Sequence, residues 1–185
     1  RFETAKQLEA TQAEIKFERS RLQQEINRDL VEREHHIADI NILFQRFATV
    51  LYGPGRDAYV DIAALDASMR ISPHIGGENS QGIGKMVTFC FDLTCAVLAH
   101  RSGRGPDFLV HDSHLFDGVD ERQVAEALKL AARAADEEGM QYIVTMNSDD
   151  LSKAQQYDAT LIGDVIEPRL TDAYDDGGLF GFHFE

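Results

Sequence analysis

Gly105-Pro106-Asp107-Phe108-Leu109-Val110-His111-Asp112-Ser113-His114-Leu115-Phe116-Asp117-Gly118-Val119-Asp120 is the stretch from which the fold is read. Phe108–His111 reads as a short strand that ends on an acid, Asp112. A turn carrying two more acids, Asp117 and Asp120, follows, and a helical pattern begins at Glu121. In open α/β sheets the carboxyl end of a buried strand, just before a loop, is where ligand chemistry collects. In nucleotide-hydrolysing proteins an acid there holds Mg²⁺, directly or through water, and the metal bridges the phosphates. A plainer role is open to the same residue: a strand-terminal Asp also caps the next turn.

Downstream, Glu121–Glu138 is an amphipathic helix with Val124, Ala127, Leu128 and Ala131 inward, stopped by Gly139. Gln141–Met146 is a second apolar strand that runs into Asn147-Ser148-Asp149-Asp150. The linking helix makes parallel neighbours the default, so a polar residue at this strand end would share a crevice with Asp112. Leu151–Tyr157 is expected to be a short helix, and Asp158–Glu167 one or two strands built on Leu161-Ile162 and Val165-Ile166. The tail from Pro168 ends in Leu179-Phe180-Gly181-Phe182-His183-Phe184, an alternation expected of a terminal strand.

Upstream, Ser80-Gln81-Gly82-Ile83-Gly84-Lys85 runs into an apolar helical segment, Met86–His100. The phosphate-loop pattern G-x-x-x-x-G-K-[ST] fails here, because Asn79 stands at its first glycine and Met86 at its hydroxyl position. What remains is a glycine-rich turn opening a helix, with the Ser80 hydroxyl and free N–H groups able to meet an anion. Simple capping, with glycines for close packing, is the alternative. Further back, Tyr52-Gly53-Pro54-Gly55 breaks a helix. Tyr59–Ala63 and Ser68–Ile71 read as a hairpin about Leu65-Asp66-Ala67, and Pro73, Gly76, Gly77, Asn79 and Ser80 read as a loop.

Arg1 to about Ala48 is one helical reading without Gly or Pro. Leu8, Ile15 and Leu22 repeat at seven, and so do Leu30, Ile37 and Phe44, with Ile26, Ile40 and Phe47 beside them. Apolar sevens between charged flanks point to a coiled-coil arm. The alternative is an amphipathic helix lying on its own domain. His35 and His36 read as solvated surface.

The chain has 185 residues and a formal net charge of −14. That balance argues against gripping nucleic acid by bulk electrostatics. No apolar run is read as a membrane span and no signal peptide is seen. Cys90 and Cys95 read as reduced, buried residues of a cytoplasmic protein. The first residue is Arg1, from which a processed or excised piece is expected.

This order of elements resembles the C-terminal half of the ATPase head of ABC-type, SMC-like proteins. It is most similar to a prokaryotic domain family of uncharacterised function that ends such coiled-coil ATPases. The resemblance implies an α/β fold, a mostly parallel sheet flanked by helices, over 51–185, preceded by a coiled-coil arm over 1–50. Ser80-Gln81-Gly82 resembles the ABC signature, with Gln81 for a glycine and Asn79 for the usual leucine. Nucleotide contact is implied there, with Gly84 and Lys85 beside it. Phe108–Asp112 resembles Walker B, which implies Asp112 as the Mg²⁺ ligand. Asp117–Asp120 resembles the D-loop, and Asn147 falls where most relatives carry the switch histidine.

Two departures matter. The catalytic glutamate position is Ser113, a poor base unless activated, for which His114 or His111 could substitute. Asn147 can hydrogen-bond a γ-phosphate but does not titrate like histidine. No Walker A exists here, so the resemblance implies ATP and Mg²⁺ binding only with the N-terminal head half supplied. It also implies a second head as a homodimeric partner, DNA and accessory proteins through the assembly, and no membrane. A scaffold that kept the head's shape without hydrolysis is the second reading. A nuclease-like enzyme using Asp112 and His114 with a metal is the third, and the chain lacks the carboxylate cluster such chemistry gathers.

Overall fold

The computed structural model describes residues 2–65, 68–77, 80–167, 169–171, 173–174 and 176–182. Helices α1 (Phe2–Glu32) and α2 (Glu34–Tyr52) meet at Arg33. The Arg33 N–H is shared between Asp29 O at 3.1 Å and Leu30 O at 3.3 Å, so the junction is a local irregularity and not a loop. The two helices have different fates. Leu8, Ile15 and Leu22 of α1 stand 62%, 51% and 40% exposed, whereas Phe44 and Phe47 of α2 are buried in the core.

The single helical reading over 1–48 is thus divided into two helices, of which α2 packs its apolar row into the core. Among the described residues no second helix lies along the α1 row, and α2 follows the alternative reading, a helix laid on its own domain. The second seven-spaced row ends in Phe44, which packs inward because hairpin and helices already surround it.

Gly53, at φ 78°, ends α2 in a conformation that a side chain would strain. Strands β1 (Ala58–Leu65) and β2 (Ser68–Ile75) then pair antiparallel, longer than the sequence pattern indicated. Pro73 lies inside β2 opposite Val60 and not in a loop, which a two-stranded sheet tolerates because both strands are edges. Asp66 and Ala67, the expected turn, lie outside the described residues. The Asn41 side chain clips the hairpin to α2: its Oδ1 accepts from the Val60 N–H at 2.8 Å, and its Nδ2 donates to Val60 O at 3.3 Å.

Helix α3 (Gln81–Arg101) begins five residues before Met86, taking the glycines into its first turn. By length and composition it is apolar enough to cross a membrane, which the sequence reading had not found. Met86, Phe89, Cys90, Leu93 and Val97 are buried in the core. Cys90 is buried as expected, but Cys95 is exposed, because alternate faces of α3 meet core and surface.

Strand β3 (Phe108–His111) is followed by a 3-10 turn (Ser113–Phe116), helix α4 (Glu121–Glu138), strand β4 (Gln141–Val144) and helix α5 (Ser148–Tyr157). β3 and β4 are parallel, with His111 opposite Val144. Among the described residues the fold is thus mixed α/β with two two-stranded sheets, β1–β2 antiparallel and β3–β4 parallel. A mostly parallel sheet flanked by helices is not what these residues build. The inner face of β3–β4 carries Leu109, His111, Tyr142 and Val144, while Phe108 and Val110 on the outer face are 49% and 50% exposed.

Three polar clamps hold the helices at the far end. Arg46 pairs with Glu137 at 2.9 Å, Arg101 Nε donates to Glu138 at 2.8 Å, and His100 contacts Asp107 at 2.9 Å. Beyond α5, a 3-10 turn (Ala159–Asp164) replaces the expected strands. Asp158 is the reason, since it accepts from both the N–H and hydroxyl of Thr160 and pairs with Lys129 at 2.8 Å. These bonds hold the Asp158 carboxyl far below the usual range, the Lys129 bond first. Leu179–Phe182 forms turns and bends, not a strand, while His183 and Phe184 lie outside the described residues.

Replacing Phe89, buried at the centre of the core, by Ala should cost about 3–5 kcal/mol in urea unfolding. Arg101 holds the Glu138 carboxyl below its ordinary range. A depressed carboxyl stabilises the fold above its unfolded pKa, about 4.3, and that contribution is lost as pH falls through the folded value. The gap in urea midpoint between the parent and Glu138→Gln should be full at about pH 7 and shrink below about pH 4.

Candidate functional site

The glycine-rich start of α3 lies against the acidic turn that follows β3. A Cβ placed on Gly82 would sit 3.2 Å from Gly118 O and 3.6 Å from Val119 Cα, so a side chain there would push the Gly118 carbonyl back by a few tenths of an ångström. Gly118, at φ 73°, makes the turn on the other side of that contact. Lys85 Nζ donates to the His114 carbonyl oxygen, tying the turn to the helix. Lys85 and His114, 29 residues apart in the chain, are thereby brought together.

Beside the contact lies an open depression of about 410 Å³, with Lys85, Thr88, Asp92, Asp112 and His114 on its walls and His111 at its base. Asp112 Oδ1 accepts from the His114 N–H at 2.7 Å, so the plain capping role is real. Among the described residues its second carboxylate oxygen has no hydrogen-bond or ion-pair partner. His114 is 83% exposed at its side chain and pairs with Asp117 at 2.7 Å. Asp120 caps α4, accepting from the Arg122 N–H at 3.1 Å. Ser113 opens the 3-10 turn and is half-buried.

Ser80 is the N-cap residue of α3, but its hydroxyl makes no capping bond. Gln81 is exposed over Gly118, and Gly84 donates its N–H to Ser80 O at 3.0 Å. Asn79 lies outside the described residues. Asn147 caps α5 without a side-chain bond and is exposed. The parallel register puts it at the same sheet end as Asp112, because the Thr145 N–H continues the ladder to His111 O at 3.1 Å. Of the residues singled out from sequence, Lys85, His111, Asp112 and His114 line the depression, whereas Ser80, Gln81, Gly82, Gly84, Ser113, Asp117, Asp120 and Asn147 do not.

The sequence reading names His111 only as a possible stand-in for the base at Ser113 and passes over Asp92 as a site residue. His111 is 94% buried, with its Nδ1 2.9 Å from the Tyr142 hydroxyl and its Nε2 3.4 Å from Asp92 Oδ2. That second approach is too poorly aligned for a hydrogen bond, so Nε2 has no hydrogen-bond partner. Burial, and then the Asp92 charge, push the Tyr142 phenol far up, which keeps its proton in place. A signal for Asp92 was present: it is the one acid between Met86 and Arg101.

Among the described residues no three His, Cys, Asp or Glu side chains converge as a metal cage. A cation at Asp112 would be held by that carboxylate with water and ligand oxygens, which is how Mg²⁺ is commonly bound. This chemistry fits Mg²⁺ with phosphates. It does not fit the carboxylate-rich centre of the nuclease-like reading.

The site lies at the carboxyl end of the parallel strand pair of a mixed α/β protein, beside the first turns of α3. Residues 47–184 match the family model described as "Uncharacterised protein conserved in bacteria (DUF2326)", and the chain belongs to that family. No curated protein and no solved structure matches it.

Lys85→Met removes the tether on the His114 carbonyl while leaving the aliphatic stem. Amides of the turn at 113–117 should then exchange about 10-fold faster in hydrogen-exchange mass spectrometry, with α4 unchanged. Equal exchange would show that the turn holds itself.

Proposed function

We propose that this chain is the C-terminal part of an ABC-type, SMC-like ATP-binding head. With its N-terminal half it binds ATP and Mg²⁺, pairs with a second head and passes closure on to the helical arm. The role is in prokaryotic DNA maintenance or defence, in the cytoplasm, with DNA and accessory proteins engaged through the full assembly. The observation that carries this is the packing of the Ser80–Lys85 turn on the turn after β3, Gly82 against Gly118. Lys85 at the helix start and the strand-end carboxylate of Asp112 line one depression, and a helix start offers free N–H groups to an anion.

In this reading Asp112 holds Mg²⁺. Ser80, Gln81 and Gly82, with Gly84 and Lys85, meet phosphate, while Asp117 and Asp120 border the head–head contact. Asn147 hydrogen-bonds the γ-phosphate, and Ser113 or His114 stands at the catalytic position. The bare outer face of β3–β4 supports a missing half, since parallel sheets are ordinarily covered on both faces. The exposed Leu8, Ile15 and Leu22 row supports a partner helix in the same way.

A degenerate head that dimerises without hydrolysis is the second reading. Ser113 favours it, as do the structural bonds that occupy Lys85, Asp117 and Asp120.

The chain co-expressed with the upstream part of its own gene should bind Mg·ATP and dimerise with it, and Asp112→Ala should weaken binding about 10-fold or more. Size-exclusion light scattering and equilibrium binding make the check. Failure of the parent complex to bind Mg·ATP would sink the head reading.

A further inference from the structure

His100, in the last turn of α3, meets an oxygen acceptor at each ring nitrogen. Nδ1 lies 2.9 Å from Asp107 Oδ1, and Nε2 lies 3.0 Å from the Glu138 carbonyl oxygen. A carboxylate and a peptide carbonyl have no proton to give, so each contact needs its N–H from the imidazole. A neutral ring carries one N–H and turns a lone pair on an oxygen at one of the two contacts. Only the doubly protonated ring makes both bonds. The two partners belong to the two segments that lead into the parallel strands. Asp107 stands just before β3, Glu138 is the last residue of α4, and the Gln141 N–H opens the β3–β4 ladder on Asp107 O at 2.8 Å. The loop before β3 also folds back on α3, with the Arg104 and Gly105 N–H groups on Ala99 O at 2.9 and 3.2 Å.

We infer that His100 is a proton-operated latch on the two segments that enter β3 and β4. With both nitrogens protonated it joins the end of α3 to Asp107 and to the end of α4, and loss of one proton releases one of them. The His100 side chain is 25% exposed, so the proton comes from solvent. The charged groups around this corner are Asp107 and Arg104 from the loop, Glu138 and Glu137 from α4, Arg101 from α3, and Arg46 and Asp39 from α2. Both helix arginines are engaged, Arg101 with Glu138 at 2.8 Å and Arg46 with Glu137 at 2.9 Å. The carboxyl ends of α3 and α4 add the negative ends of two helix dipoles, which favour a cation here. The inference is independent of the head reading, since it concerns the opposite end of the strand pair from Asp112.

The test reads amide hydrogen exchange by NMR at about pH 5.5 and about pH 8.5, on either side of the ordinary histidine value of about 6.5. Each rate is taken relative to that of an unstructured chain at the same pH, which removes the intrinsic effect of pH on exchange. The latched form is the protonated one, so its contribution is full at the lower pH and lost as pH rises. Protection of the Arg104, Gly105 and Gln141 amides should fall about 10-fold or more between the two conditions, while amides in the middle of α4 keep theirs. His100→Gln offers a donor to one contact and has nothing to titrate, so its protection should be the same at both pH values. Asp107→Asn leaves an acceptor oxygen without the charge and should shrink the fall to less than about threefold. Equal protection at both pH values in the parent overturns the inference, as does a parent-sized fall in either variant. A fall that extends through α4 also overturns it, because the whole fold and not the latch would then be titrating.

Discussion

Burial of one side of α3 is the constraint on which the rest of this structure depends. Met86, Phe89, Cys90, Leu93 and Val97 turn inward between α2, α4 and the β3–β4 pair. A helix so anchored cannot rotate, because each buried side chain would leave a void or clash. The orientation of its other face is then settled as well. Lys85, Thr88 and Asp92 must face the turn after β3, and the glycines at the helix start must meet Gly118.

The same anchoring explains why polar groups here serve two ends at once. Asp112 caps its turn with one oxygen and keeps the other outward, and Lys85 spends one donor on the His114 carbonyl with two N–H groups left over. His111 is the extreme case, a buried imidazole satisfied at one nitrogen only. Leaving such a group unpaired costs roughly 1–3 kcal/mol, and folds retain that cost mainly where a site uses it.

Apolar surface left uncovered has its own pattern. It gathers on the outer face of β3–β4, along α1, and on the exposed tail residues Leu179, Phe180 and Phe182. The core, by contrast, is continuous across α2, α3 and α4. Phe108 and Val110 stay half-exposed on one side of a parallel strand pair whose other side is packed into the core.

The local elements were legible wherever one period dominates. The β3 span, the α4 span with its Gly139 stop and the parallel register of β3 with β4 all follow from side-chain spacing and an intervening helix. So does the glycine-rich opening of α3. The misses share a cause. The two seven-spaced rows of α1 and α2 look alike in sequence, but which one meets solvent depends on what packs there, and only the fold sends Phe44 inward and leaves Leu8 out. Leu161-Ile162 looked like strand, whereas the Asp158 bonds to Thr160 and Lys129 close a tight turn. Asp92 was visible as a lone acid in an apolar helix. Its meeting with His111, 19 residues away, was decided by the docking of α3 on β3, because side-chain periodicity fixes the face of an element and only packing decides what that face meets.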